Sequence, residues 1–221
     1  MFDLHGVAFR GSVDVAEFEY SETGIDRAIY RSVKRVFDIV GALVLLPLTL
    51  AVAALLIAAN PIFNAGPLFF IQARMGRHCR AFPAIKFRTM RPVERIARGA
   101  DDPLELDRIT RLGRFLRKSR LDELPQIFNV LRGDMSLIGP RPDYFNHARR
   151  FVRHVPGYRE RHAVRPGISG LAQVRLGYAN GLEATAAKVR DDLAYIRNAG
   201  FWLDTLIFCR TVMTILRGHG T

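Results

Sequence analysis

Two adjacent carboxylates, Asp122 and Glu123, follow an arginine-rich stretch directly, in the segment LDELPQ. A carboxylate set in a dense field of arginine charge is held ionised with a depressed pKa, and an ionised carboxylate can act as a nucleophile. A neighbouring carboxylate suits Mg²⁺, which usually takes one or two carboxylates plus substrate phosphates. The simpler alternative is that both acids are favourable charges at the N-terminus of a helix.

A stiff arginine follows in the segment GPRP, residues 139–142, where Arg141 lies between two prolines. Proline fixes its own φ and restricts the residue before it, so the backbone around Arg141 has little freedom. Such a position suits a bidentate clamp on phosphate better than it suits a solvated charge.

The overall charge points to phosphate-bearing partners. The formal net charge is +12, and only four of the 33 basic residues are lysines, which leaves 29 arginines. The planar arginine fork matches phosphate, so nucleotides, nucleic acid and phospholipid headgroups are the candidate partners. Residues 72–120 contain 14 basic and five acidic residues. Most of these bases are expected to form a basic surface on anionic lipid, and a minority to face a phosphate site.

An ordered set of short motifs resembles the small bacterial sugar transferases, which are monotopic polyprenyl-phosphate phosphoglycosyl transferases. The resemblance covers residues 34–216. Its pieces are KRxFD (34–38), KFRTM (86–90), LDELPQ (121–126), FNVL (128–131), GDMS (133–136), GPRP (139–142), VRPGISG (164–170), Asp192 with YIRN (195–198), and Leu203-Asp204.

The resemblance implies an activity and a set of site residues. The family moves a sugar 1-phosphate from a nucleotide sugar, usually a UDP-sugar, to undecaprenyl phosphate and releases UMP. Asp122 would then be the nucleophile that forms an aspartyl phosphosugar, and Glu123 would hold Mg²⁺. The positions that the resemblance assigns to substrate binding are Lys86, Arg88, Arg117, Arg141, Arg165 and Asp192. The segment LAQVRLG (171–177) departs from the family pattern, so the sugar is not predicted.

These side chains need a membrane anchor and a folded domain to position them. Ile39–Ala59 is a run of 21 residues without a charge. As a straight helix it would span roughly 31 Å, close to the bilayer core of about 30 Å. Pro47 lies mid-run and basic residues flank both ends, which favours both ends on the cytoplasmic side. A re-entrant, kinked helix satisfies both facts, while a spanning helix and a buried core helix are the alternatives.

The expected fold is α/β and mainly helical, with a re-entrant helix-break-helix anchor and interfacial amphipathic helices. Where the family commonly has Ser-Pro at the break, this chain has Leu46-Pro47, and Thr49 is the candidate to bond freed carbonyls. Residues 67–72 and 81–87 are expected to be short strands or extended segments at the membrane surface. Helices are expected at 109–120, 145–155 and 201–216. The expected division is an acidic mobile tail at 1–30, a re-entrant membrane helix at 31–60, and a catalytic domain at 61–221.

The partners expected from this interpretation are a nucleotide sugar, undecaprenyl phosphate and inner-membrane lipids, at the cytoplasmic face of the bacterial inner membrane. Mg²⁺ is the expected cofactor, and a homo-oligomer is left open. Two rival functions are weaker. A membrane-tethered nucleic-acid binder would explain the charge, but no nucleic-acid-binding motif accompanies it. A non-catalytic scaffold of the same fold is disfavoured because Asp122, Glu123, Lys86 and Arg141 are all present.

Overall fold

The computed structural model describes residues 24–93, 105–176 and 182–217. Of the acidic tail expected at 1–30, residues 1–23 lie outside this description, and residues 24–30 form the beginning of a helix. The mobility expected of the tail therefore stays a prediction for residues 1–23.

The described residues form seven α-helices and four short strands, which confirms the mainly helical α/β class. In chain order these are α1 (Gly24–Phe63), β1 (Phe69–Met75), β2 (Ala81–Phe87), α2 (Arg111–Lys118), α3 (Gln126–Arg132), β3 (Ser136–Ile138), α4 (Phe145–His154), β4 (Gly167–Ser169), α5 (Leu171–Leu176), α6 (Leu182–Arg197) and α7 (Phe201–Leu216).

The strands pair locally into two small sheets. β1 and β2 form an antiparallel pair in which Phe69 lies opposite Phe87 and Met75 lies opposite Ala81. β3 and β4 form a parallel pair of three residues each. The strands expected at 67–72 and 81–87 are thus confirmed as β1 and β2. The helix expected at 201–216 is α7, and those expected at 145–155 and 109–120 are α4 and a shorter α2.

Helix α1 carries the apolar run and continues through both Pro47 and Pro61 over 40 residues. Within the described part of the chain, its stretch Ala28–Phe63 is the one helix long and apolar enough to cross a membrane, and only 22% of its most apolar window is buried. Large apolar side chains such as Val44 and Leu55 are exposed, so α1 is not a buried core helix. The Thr49 hydroxyl donates to the Leu45 carbonyl at 2.9 Å, one turn back along the helix. The carbonyl that loses its N–H donor at Pro47 is that of Leu43, so this bond does not replace the missing one.

One face of α1 belongs to the protein core on both sides of Pro47. Before the proline, Ala42 packs with Ile127 and Val130 of α3 in a fully buried cluster. After the proline, Leu56 packs with Phe87 at the end of β2. The helix is therefore fastened to the domain along its length and exposes its other apolar face.

Four residues before the apolar run dock α1 onto the domain: Tyr30, Lys34, Arg35 and Asp38. Arg35 donates to two carbonyls in the last turn of α3, at 2.6 and 3.0 Å. Asp38 accepts 2.9 Å bonds from a serine hydroxyl and a backbone N–H of β3. Tyr30 and Lys34 both donate to Asp204 of α7, at 2.9 and 2.7 Å. These contacts fix α1 against α3, the helix that follows the two carboxylates.

Candidate active site

The two carboxylates lie in a short 3-10 turn, Leu121–Glu123, between α2 and α3. Arg120 enters this turn in the left-handed conformation, with φ 56° and ψ 14°. For a residue other than glycine that conformation costs of order 1–3 kcal/mol and is common at functional sites. The turn directs both acids inward, so Asp122 is 9% and Glu123 is 6% exposed. Both acids lie just before the N-terminus of α3, so the favourable interaction with the helix dipole that the sequence offered as the simpler alternative stays open.

Glu123 is surrounded by three cations. Arg141 grips it as a fork, with Nη1 donating to Oε2 at 2.8 Å and Nη2 donating to Oε1. Lys86 of β2 donates to Oε1 at 2.6 Å, and Arg120 Nη1 lies 3.7 Å from Oε2. Burial alone would raise the pKa of Glu123, but Arg141 and Lys86 outweigh it and hold the pKa well below its usual range. Glu123 is therefore ionised and fixed.

Asp122 lies in a different environment. Burial, followed by the negative charge of Glu123, raises the pKa of Asp122 to about 6, while Lys86, Arg141 and Arg117 offset only part of this. The expectation of a depressed pKa is correct for Glu123 and wrong for Asp122. The physical reason is that the nearest cations are bonded to Glu123, so Asp122 experiences both burial and a neighbouring negative charge.

Five of the residues expected at the site come together. These are Asp122, Glu123, Lys86, Arg117 and Arg141. Arg117 reaches the group from α2 and is held by a 2.9 Å bond from its Nε to the Thr89 hydroxyl. Lys86 and Arg141 arrive from β2 and from the loop after β3, so three separate segments converge on the turn that carries the acids.

Three other residues expected to bind substrate have protein partners elsewhere. Arg88 is buried and donates to the Asn64 side chain at 3.1 Å and to a backbone carbonyl of the loop between α1 and β1 at 2.7 Å. Arg165 donates to the backbone carbonyl of Gly133, the residue that ends α3, at 2.9 Å. Asp192 is 1% exposed and accepts a bond from Arg161 at 2.8 Å. The structure therefore does not bring these three to the carboxylate turn.

The sequence does not single out two residues that lie near the site, Arg120 and Arg161. Arg120 belongs to the basic stretch 72–120, and its place just before the two acids is the one signal for it. No pattern in the sequence indicates that Arg161 is buried, because an arginine in the segment Glu160–Ala163 is expected at the surface. Its side chain is in fact fully buried, and it contacts the backbone of Arg141.

The residues present fit a hard cation only with help from a substrate. Within the described ranges, no three His, Cys, Asp or Glu side chains form a group that could hold a metal. Asp122 and Glu123 supply carboxylate oxygens, the ligands that Mg²⁺ prefers, and substrate phosphates commonly complete such a shell. Both oxygens of Glu123 already accept bonds from Lys86 and Arg141, so a bound ion would take over part of that neutralisation.

The arrangement can support attack by a carboxylate on a phosphorus centre. The side-chain carboxylate of Asp122 accepts no hydrogen bond from the described residues, whereas that of Glu123 accepts several. Positive groups beside Asp122 are placed to stabilise the charge of a phosphate. One carboxylate therefore remains available for chemistry, while the other organises the cations around it.

Comparison with known proteins identifies the class. Residues 29–218 match the family described as Bacterial sugar transferase, which covers most of the chain. This chain therefore belongs to the bacterial sugar transferase family, and the resemblance drawn from the motifs is confirmed.

Three relatives show the range of the family. Over 217 residues the chain is 43% identical to UDP-N-acetylgalactosamine-undecaprenyl-phosphate N-acetylgalactosaminephosphotransferase of Aeromonas hydrophila, covering 95% of this chain and 50% of the relative. Over 214 residues it is 39% identical to UDP-glucose:undecaprenyl-phosphate glucose-1-phosphate transferase of Xanthomonas campestris pv. campestris, covering 93% and 43%. Over 198 residues it is 39% identical to Exopolysaccharide production protein PSS of Rhizobium leguminosarum bv. phaseoli, covering 85% and 97%.

The chain thus spans half or less of the first two relatives and nearly all of the third. The first two names carry different sugars, N-acetylgalactosamine and glucose, but the same acceptor. These two names agree on the class of reaction, the third names exopolysaccharide production, and the sugar of this chain stays open.

Proposed function

We propose that this chain transfers a sugar 1-phosphate from a UDP-sugar to undecaprenyl phosphate and releases UMP, as the first membrane step of exopolysaccharide or glycoconjugate assembly. The observation that carries the proposal is the pair of neighbouring acids with opposite roles: Glu123 is locked by Arg141 and Lys86, and Asp122 is left without a hydrogen bond from the described residues. The names of the relatives support the same donor and acceptor classes.

The reaction would run in two displacements at phosphorus. In the first, an oxygen of the Asp122 carboxylate attacks the sugar-bearing phosphorus, and the bond to the bridging oxygen breaks with its electron pair leaving on UMP. In the second, an oxygen of undecaprenyl phosphate attacks the same phosphorus and the bond to Asp122 breaks, which regenerates the carboxylate. Neither step needs a proton to be moved, and two half-reactions at one carboxylate give ping-pong kinetics.

The basic residues would stabilise the charge that these displacements place on phosphate oxygens. Lys86, Arg117 and Arg141 lie near enough to Asp122 to affect its ionisation, so a phosphate bound at Asp122 would experience the same charges. Glu123 keeps Lys86 and Arg141 in place by accepting from both. We also assign Mg²⁺ to Glu123; when bound, the ion supplies positive charge to the diphosphate of the donor.

UMP release tests this function directly. Purified protein in lipid nanodiscs is given Mg²⁺, undecaprenyl phosphate and each of a panel of UDP-sugars, and UMP is measured. We expect release with at least one sugar, and a loss of over 10³-fold in Asp122→Asn, equivalent to at least ~4 kcal/mol of barrier.

The matched control is Asp191→Asn, which removes a carboxylate paired with Arg175 on the surface of α6 and should retain activity. If no UDP-sugar yields UMP, the proposed function is wrong. Salt-sensitive binding of DNA without turnover would then favour the nucleic-acid binder.

We further propose that α1 is re-entrant, bent at Pro47, with the N-terminus and the catalytic domain both on the cytoplasmic face of the inner membrane. The packing of α1 supports this, because Ala42 and Leu56 contact the domain on opposite sides of the proline. A helix crossing the bilayer would have to carry one of these contacts away from the domain.

Side-specific labelling tests the topology. Ile29→Cys and Arg80→Cys are introduced singly into a Cys79→Ser, Cys209→Ser background; both positions are exposed. A re-entrant helix predicts that both label from the cytoplasmic side. Labelling from opposite sides would mean that the helix spans. Pro47→Leu is the informative variant, because a straight apolar helix of this length makes spanning competitive and should give a mixed topology.

A further inference from the structure

Behind the loop that carries Arg141 lies a buried ion cluster, formed by Arg161, Asp143, Asp192, Lys188 and Tyr158. The cluster draws on three regions of the chain: the loop after β3, residues 158–161, and helix α6. The side chain of Arg161 is not exposed at all, and that of Asp192 is 1% exposed. None of these residues takes part in the chemistry proposed above.

Arg161 lies at the centre of the cluster and uses every edge of its guanidinium. Nε and Nη2 contact the Asp192 carboxylate at 2.8 and 2.7 Å, and Nη1 donates to Asp143 at 2.7 Å. Nη2 also donates to the backbone carbonyl of Arg141 at 2.7 Å. The same guanidinium thus joins the buried Asp192 and the partly buried Asp143 to the main chain of a residue at the candidate active site.

Asp143 ties the cluster to the same loop from its other side. Lys188 donates to Oδ1 at 2.5 Å, and the Tyr158 hydroxyl donates to Oδ2 at 2.7 Å. Burial raises the pKa of Asp143, but Lys188 and Arg161 outweigh it and hold the pKa far below its usual range. Two carboxylates and two cations therefore neutralise one another within the cluster.

The backbone of residues 141–143 is held at three consecutive carbonyls. The Arg141 carbonyl accepts from Arg161, the Pro142 carbonyl accepts from Arg74 at 3.0 Å, and the Asp143 carbonyl accepts from the Met75 N–H at 3.0 Å. While its main chain is held from behind, the side chain of Arg141 reaches forward to Glu123.

Buried ion clusters contribute little to folding stability, because the cost of desolvating the charges offsets most of their mutual attraction, and apolar replacements are often as stable. Their benefit is geometric, since fully satisfied polar networks fix one arrangement. An arginine that binds a carboxylate through both terminal nitrogens needs its backbone position fixed to within about 0.5 Å.

We propose that Arg161 is a positioning residue for the transfer reaction: it holds the Arg141 carbonyl so that the Arg141 fork meets Glu123. Asp192, buried behind Arg161, neutralises the charge of that guanidinium and orients it. Asp192 thereby has a role away from the substrate, which differs from the one expected from the sequence. This proposal rests on the proposed function, since it concerns the same site.

The most direct perturbation is Arg161→Lys. It keeps the charge, but one ammonium cannot span Asp192, Asp143 and the Arg141 carbonyl together. We expect kcat/KM for UMP release to fall by 10- to 100-fold. Asp192→Asn leaves a neutral partner behind Arg161 and should give a smaller fall, of about 3- to 30-fold.

A double-mutant cycle separates positioning from support of the fold. Arg141→Lys removes the fork itself and should lower kcat/KM by 10- to 100-fold. If Arg161 acts through Arg141, then Arg161→Lys in the Arg141→Lys background should cause at most a threefold further loss. Additive losses, in which the two fold-changes multiply, would overturn the proposal and make the cluster a support of the fold alone.

Tyr158→Phe is the matched control, because it removes one bond to Asp143 but leaves Arg161 on the Arg141 carbonyl. It should change kcat/KM by less than threefold, even if its melting temperature falls as much as that of Arg161→Lys. A loss in Tyr158→Phe equal to that in Arg161→Lys would also overturn the proposal.

Folding and the proposed function are controlled separately. If Arg161→Lys does not fold, Asp192→Asn replaces it in the double-mutant cycle with Arg141→Lys. If neither variant folds, the positioning role is overturned in favour of a role in folding. A wild-type protein that releases no UMP would refute the proposed function instead. An active wild type with an additive cycle would refute only the positioning of Arg141 by Arg161.

Discussion

His162 should make folding stability sensitive to acid. It lies beside the buried ion cluster, is 4% exposed, and its Nε2 has no hydrogen-bond partner within the described residues. Burial lowers the pKa of His162 from its ordinary 6.5 to about 4, and the charges of Arg161 and Lys188 act in the same direction. Asp143 and a hydrogen bond with the Gly76 backbone oppose the shift without cancelling it.

The sign and the size follow from linkage. Well above pH 6.5 the imidazole is neutral in both states, so it has no effect on the free energy of unfolding. Between pH 6.5 and 4 the unfolded chain binds a proton that folded His162 does not, so stability is lost as the pH falls. A pKa difference of about 2.5 corresponds to roughly 3 kcal/mol at most, of which about 2 kcal/mol is lost between pH 7 and 5.

Urea unfolding at pH 7 and pH 5, in the same nanodiscs, measures this contribution. His162→Gln removes the titrating group, so its loss of stability between the two pH values should be smaller than that of the wild type by about 2 kcal/mol. His154→Gln, on an exposed position of α4, is the matched control and should keep the wild-type loss. Equal losses in the wild type and in His162→Gln would refute the reasoning.

Three further substitutions test the packing that positions the site, each by urea unfolding at pH 7. Asn129→Ala removes a fully buried side chain that bonds a carbonyl and an N–H of β2, and should cost about 3 kcal/mol. Gly113→Ala places a Cβ 1.9 Å from the Thr89 carbonyl oxygen, so the backbone must shift, at a cost of about 2 kcal/mol or more. Arg35→Met leaves two carbonyls in the last turn of α3 without their charged donor and should cost about 1–2 kcal/mol.

Each of these has a control or a contrary outcome. Gly41→Ala is the control for Gly113→Ala, because its added Cβ meets the movable end of the Leu137 side chain rather than backbone. Losses below about 0.5 kcal/mol, the range of ordinary surface substitutions, would contradict the contacts assigned to Asn129, Gly113 or Arg35.

The sequence predicted what depends on local pattern. Bulky apolar residues at short spacing located β1 and β2, and the apolar run of Phe201–Leu216 located α7. The motifs located the carboxylate pair, Lys86 and Arg141, which the fold brings together. Each of these features is encoded within a few neighbouring residues, so no knowledge of distant contacts was needed.

What the sequence could not predict depends on distant partners. Arg161 reads as a surface charge, but Asp192, 31 residues further on, makes its burial tolerable. Lys34 and Arg35 read as signals of membrane orientation, yet in the fold they bind Asp204 and the last turn of α3. The sign of the pKa shift at Asp122 likewise depends on how nearby cations are shared with its neighbour, which no motif encodes.

The central claim is that Asp122 becomes covalently bonded to the sugar phosphate. The direct measurement is the mass of the protein after incubation with a productive UDP-sugar and Mg²⁺, without undecaprenyl phosphate, followed by peptide mapping. The account predicts a mass increase of one sugar phosphate on the peptide that contains Asp122, lost when undecaprenyl phosphate is added and absent in Asp122→Asn. An unmodified protein that still forms UMP when the lipid is present, or an adduct on another residue, would contradict it.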